Sequence, residues 1–175
     1  MALLATGAAL TMAGCSFSFS IGGSEVSTDD LESRINASYE RQTGIPLATV
    51  SCEAAAAEVG EPISCQAANE RGVELTIAGE ITGVNEDDDR VKFNWEVAQA
   101  VAPGATFSQA AKETLEETVG EPLTAVRCPD RIPLRRGAEL RCTVETSTGE
   151  VFGARLTLTD EDGGFRIEVD ESARA

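Results

Sequence analysis

Five cysteines and no histidine set the chemistry open to this chain. Without an imidazole there is no Ser-His-Asp triad, no Cys-His pair and no histidine metal site. Four of the thiols fall into two nearly equally spaced pairs, Cys52 with Cys65 and Cys128 with Cys142. Paired thiols can form disulfides or hold zinc. Zinc sites of this size generally use closely spaced C-x-x-C pairs or histidines, so the pairs are read as two disulfides rather than a metal site. No cofactor is expected. Carboxylates are the other candidates, but thirty acidic residues guarantee chance pairs, and one Trp and one Tyr leave little to stack a sugar ring. The run NEDDDR at Asn85 to Arg90 lacks the sixth-position glycine and distal glutamate of an EF-hand loop, and reads as a solvated turn. Asn36-Ala37-Ser38 matches a glycosylation sequon but lies within an expected helix. The expectation is a protein that is not an enzyme.

Arginine supplies the remaining chemistry. The segment between the first cysteine pair, EAAAAEVGEPIS, carries three acids and no base. Its counterpart between the second pair carries Arg131, Arg135, Arg136 and Arg141, with Arg127 just ahead of Cys128. Guanidinium groups pair well with phosphate and carboxylate, so this loop could hold an anionic polymer, a lipid headgroup or an acidic partner. The other reading is a surface loop whose arginines offset nearby carboxylates. A net charge of −16 argues against nucleic acid as a partner.

Cys15 stands apart from the pairs. It ends MALLATGAALTMAGC, an apolar run of about 13 residues, too short for the roughly 20 that cross a bilayer but suited to a signal peptide. The residues MAG before Cys15 and Ser16 after it resemble the bacterial lipobox, where a lipidated cysteine becomes the mature N-terminus. Met12 stands where leucine is usual, and no basic residue precedes the apolar run, which suggests that the true start lies upstream. An ordinary signal peptide with an incidental cysteine is the alternative. On the lipobox reading, residues 1–14 are the signal peptide, Cys15 carries lipid, and residues 15–26, containing SFSFSIGGSEVS, are a flexible tether. The lipid leaves an even number of cysteines in an exported, oxidising setting.

The elements that must position these residues are written twice. GIPLATVSC at Gly44 to Cys52 returns 76 positions later as GEPLTAVRC at Gly120 to Cys128. With two small gaps, Cys65 then matches Cys142, Gly72 matches Gly149, and Val91, Phe93 and Trp95 match Phe165, Ile167 and Val169. Each copy opens with a helix. The first is capped by Ser27 or Thr28, striped by Leu31, Ile35 and Tyr39, and stopped by Gly44. The second is expected to use Ser108 as cap, Ala111, Leu115 and Val119 as stripe, and Gly120 as stop. Alternation with a period of two follows, as in Ala138, Leu140, Cys142 and Val144, which marks strands with one buried face. Trp95 shares the inward parity of Val91 and Phe93 and is read as core. The fold class is α+β, two tandem repeats, each one helix packed on an antiparallel sheet of about four strands with one internal disulfide. Residues 27–98 form the first module, 99–106 the linker and 107–171 the second module.

The lipobox, the helix, the V-S-C sequence, a glycine-containing loop, a second cysteine, a glycine turn and a V-x-L-T-like strand together resemble actinobacterial lipoproteins carrying tandem domains of unknown function 4333. The resemblance covers residues 31–97 and 110–169. The first copy departs from it, with EAAAAEVGEPI in place of the usual proline after the first cysteine, which CPDRIPLRRGAEL retains. It implies an extracytoplasmic, membrane-attached domain without an assigned reaction. The expectation is a non-enzymatic, lipid-anchored envelope protein held to the membrane by its N-terminal lipid and binding or assembling with an envelope protein or anionic polymer. An inhibitor of a secreted enzyme is the first alternative, similar in architecture to β-lactamase inhibitory proteins. A carrier of a small ligand or lipid is the second.

Overall fold

The computed structural model describes residues 17–20, 25–85 and 90–170. The expected signal peptide, Cys15 and residues 86–89 of the acidic run lie outside them. The chain runs β1 (Phe17–Ser20), α1 (Thr28–Thr43), β2 (Leu47–Cys52), β3 (Pro62–Asn69), β4 (Glu74–Asn85), β5 (Arg90–Pro103), α2 (Gly104–Val119), β6 (Leu123–Arg127), β7 (Arg131–Pro133), β8 (Glu139–Thr146), β9 (Val151–Leu158) and β10 (Phe165–Val169). One antiparallel sheet has the order β1-β5-β4-β3-β2, with β7 also paired to β5; the other has the order β10-β9-β8-β6. The class is α+β, with two helices, antiparallel sheets and two disulfides.

Helix α1 forms where its signals stand. The Ser27 hydroxyl accepts the Asp30 N–H at 3.4 Å, Asp29 and Asp30 occupy the positive first turn, and Gly44 closes the helix at φ 70° with its N–H on Glu40 O. Leu31, Ile35 and Tyr39 are buried against Ile63, Leu75, Ile77, Ile81, Val91, Phe93 and Trp95, so the tryptophan is core. Asn36 of the sequon is engaged by its own fold: its Oδ1 accepts the Leu47 N–H at 3.1 Å and its Nδ2 donates to Leu47 O at 3.4 Å.

Helix α2 begins earlier than its sequence signals suggest. Pro103 is its N-cap and makes no side-chain cap bond, while Ser108 lies in the helix, donating to Gly104 O at 2.9 Å. The buried stripe is correspondingly Phe107, Ala111 and Leu115, and Val119 is 58% exposed. A proline and a glycine read as a linker, but here they let a helix start directly at the end of a strand. Residues 99–106, expected to be that linker, are the end of β5 and the first turn of α2.

The expected tether is also partly built into the fold. Phe17 to Ser20 pair with Phe93 to Arg90 of β5, and Val26 is buried with its N–H on Ala55 O at 3.0 Å. FSFS has the period of a strand, and its serine content concealed that. The first sheet therefore has six strands rather than about four, because β1 and β7 join it.

Several backbone contacts recur along the chain. Gly60 N–H to Ile81 O and Ile81 N–H to Glu61 O return as Gly137 N–H to Leu158 O and Leu158 N–H to Ala138 O. The Cys52 N–H donates to Glu32 Oε1 and the Cys128 N–H to Ser108 Oγ, each at 3.0 Å and each 20 residues from its acceptor. Strand pairing puts Phe93 opposite Ile81 and Phe165 opposite Leu158. By pairing, Phe165 takes the place that Phe93 has on β5, two residues from its expected match with Val91. Two residues are one strand period, so the inward face is unchanged.

The halves are not separated by a joint. Strand β5 runs 14 residues, and its last three, Val101, Ala102 and Pro103, pair with Pro133, Ile132 and Arg131 of β7. Val73 packs against both apolar cores.

Candidate functional site

Each disulfide joins antiparallel neighbours and closes the loop between them. Cys52 and Cys65 are opposite one another on β2 and β3 with Cα atoms 4.0 Å apart. Cys128, one residue past β6, reaches Cys142 of β8 with Cα atoms 4.2 Å apart. The second loop therefore leaves the sheet at Cys128, lays β7 along β5 of the other sheet and returns through Gly137. That route decides where its arginines go.

The five arginines do not converge on one empty site. Arg131 makes a two-pronged pair with Glu74, its Nη1 donating to Oε1 at 2.9 Å and its Nη2 to Oε2 at 2.5 Å. Arg127 pairs with Glu145 at 3.0 Å, Arg141 with Asp170 at 3.3 Å, and the Arg136 Nε donates to Thr159 O at 2.8 Å. Arg135 alone of the five has no side-chain partner among the described residues. Three of the five, Arg127, Arg131 and Arg141, thus lie against carboxylates. The Glu74 pair has a further effect, because it joins β4 to β7 and so spans the two halves.

Beside that pair lies a shallow polar depression lined by Gln66, Thr76, Gln99 and the Glu74–Arg131 pair. Gln66, Thr76 and Gln99 are cross-strand neighbours on β3, β4 and β5, and the Thr76 hydroxyl donates to Gln66 Oε1 at 3.3 Å. Amides and a hydroxyl in a row can hydrogen-bond a polar chain. They supply no group that moves a proton. Sequence reasoning singled out neither these residues nor Glu74, since the register of three strands creates the row. Among the described residues no group of three or more Cys, Asp or Glu side chains is placed to hold a metal ion.

The Arg131 hydrogen bond and charge hold the Glu74 carboxyl below the usual carboxylate range, and Glu74 raises the Arg131 guanidinium in return. Asp160 is lowered too, chiefly by the Gly164 N–H on its Oδ1 at 2.7 Å, with help from Thr159 and the Asp162 N–H. A carboxyl depressed in the folded state adds stability that is present above its unfolded pKa and lost as pH falls through its folded value. Both groups therefore place their loss on the acid side. A carbon-detected NMR titration should show Glu74 and Asp160 titrating below the ordinary carboxylate range, with Arg131→Ala returning Glu74, but not Asp160, toward it.

The segment with this route, disulfide and arginine loop has a counterpart among known domains. Residues 91–163 match the model of a domain of unknown function, DUF4333. The DUF4333 match begins inside β5 and ends in the turn between β9 and β10, so it takes in β5 as well as α2, the disulfide and β7. No curated protein and no solved structure matches the chain.

Proposed function

We propose that this chain is a non-enzymatic, lipid-anchored protein on the extracytoplasmic face of a cell membrane, built from two copies of a DUF4333 module that serve binding or assembly. The observation that carries the reading is the cysteine count. With Cys52 joined to Cys65 and Cys128 to Cys142, the one thiol left in the sequence is Cys15, at the position a lipobox reserves for lipid. Disulfides persist in oxidising compartments, which fits export.

Duplication is supported by the recurring hydrogen bonds and by the lead-in to each helix. Val26 precedes α1 and bonds to the loop after Cys52, while Val101 to Pro103 precede α2 and pair with the loop after Cys128. On this reading β5 serves twice, as the last strand of one copy and the lead-in strand of the next. The kinship with actinobacterial lipoproteins belongs to the same proposal. An anionic envelope partner would meet Arg135 first, whereas Arg127, Arg131, Arg136 and Arg141 would have to leave contacts they already make.

Replacing Cys15 with Ser tests the anchor. In a bacterial host the unaltered protein should sediment with membranes and require detergent for release, and nearly all of the Cys15→Ser protein should appear in the soluble extracytoplasmic fraction. Retention of the variant in the membrane would refute lipid anchoring.

A further inference from the structure

Among the described residues, strand β10 ends its sheet with no strand along its outer side. Thr159 N–H bonds to Gly164 O and Asp170 N–H to Gly153 O, so the even-numbered residues turn their backbone groups toward β9. Phe165, Ile167 and Val169 turn theirs outward. Phe165 and Ile167 are only partly buried, whereas Phe93 and Trp95 at the corresponding places of β5 are buried; Val169 is 42% exposed, as is its counterpart Val97 at 39%. The edge strands β2 and β6 are interrupted by bulges, whereas β10, like the short strands β1 and β7 beside β5, pairs without one. An unbulged edge with partly covered apolar residues is a template for another strand.

The sequence of that edge is complementary to itself. Phe165-Arg166-Ile167-Glu168-Val169 reads apolar, positive, apolar, negative, apolar in either direction, apart from the exchange of charge. We infer that β10 pairs with β10 of a second copy of this chain about a two-fold axis at Ile167, giving a dimer with one continuous antiparallel sheet. In that register Ile167 faces Ile167 of the partner copy and Phe165 faces Val169. The outward-facing backbone groups then form hydrogen-bonded pairs, about six bonds in all. Arg166 falls opposite Glu168 in the closer, non-hydrogen-bonded pairs, twice by symmetry. Neither Arg166 nor Glu168 has a side-chain partner among the described residues of its own chain, so both are available to the second copy. The dimer does not rest on the lipid anchor.

Sedimentation equilibrium of the purified full chain over a concentration series tests this, with circular dichroism as a check of folding. The expected result is a dimer that Arg166→Glu or Glu168→Arg alone weakens at least about tenfold, since each creates two like-charge pairs, and that the double charge exchange restores to within about threefold. A monomer at every concentration would overturn the dimer while leaving the anchor untouched. A dimer insensitive to either single reversal, or not restored by the exchange, would overturn this pairing. Ile167→Cys gives an independent measure: facing Cα atoms of about 5.5 Å lie within disulfide reach, so mild oxidation should yield a covalent dimer, and its absence would count against the axis.

Discussion

Removing the second disulfide, as Cys128→Ser with Cys142→Ser, should lower stability by about 3 kcal/mol, the amount expected for cross-linking a loop of about 15 residues. The larger expectation is where the loss is felt. Trp95 is the protein's single tryptophan and lies in the first core, away from that disulfide. Yet β5 carries Trp95 at its middle and Val101 to Pro103 at its end, where β7 hangs from the Cys128–Cys142 loop. Val73 adds a packed link between the two cores. The urea midpoint read by Trp95 fluorescence should therefore fall together with the midpoint read by circular dichroism. If the fluorescence midpoint stays in place while the dichroism splits into two steps, the halves unfold independently and the shared strand does not couple them.

Gly104→Ala should cost a comparable amount, about 3 kcal/mol, for a steric reason. A Cβ at Gly104 would lie 1.8 Å from Pro129 O and 2.7 Å from its carbonyl carbon. Backbone cannot rotate out of the way as a side chain does. Either α2 moves off the end of β5 or the loop after Cys128 moves away, breaking the Gly104 N–H bond to Asp130 O and the β5–β7 pairing that follows it. Gly44→Ala is the control, because no atom lies within 4 Å of a Cβ there and only the left-handed φ of 70° resists the change. It should cost about 1 kcal/mol. Equal thermal shifts for the two variants would show that the contact at Pro129 does not constrain the seam.

Local features of the fold were legible where their causes are local. Ser27, Asp29, Asp30 and Gly44 act within one turn of their helix end, and Leu31, Ile35 and Tyr39 declare a buried stripe by spacing alone. Alternation placed Cys142, Val144, Phe93 and Trp95 inward, and the two cysteine pairs are the bonds that form. Where the reading failed, residue type misled. Serines in FSFS concealed a strand, and Pro103 with Gly104 concealed a helix start. Val119 continued the α2 stripe by spacing but lies past the turn that touches the sheet.

The arginine loop shows the limit most clearly. From sequence, Arg127, Arg131, Arg135, Arg136 and Arg141 are five cations in a short stretch with opposite charge to the corresponding loop. What each one does depends on which strand β7 lies beside, and β7 joins a strand from the other half of the chain. Arg131 meets Glu74 across 57 residues, and Arg141 meets Asp170 across 29. Amino-acid order thus determined the helices, the inward faces and the two disulfide loops. Tertiary structure alone decided that β5 takes β7, from the second half of the chain, into the first sheet, that four arginines are already engaged, and that β10 stands at the end of its sheet among the described residues. Capping and periodicity act between neighbours in the chain, whereas strand register and distant charge pairs exist only once the sheets have formed.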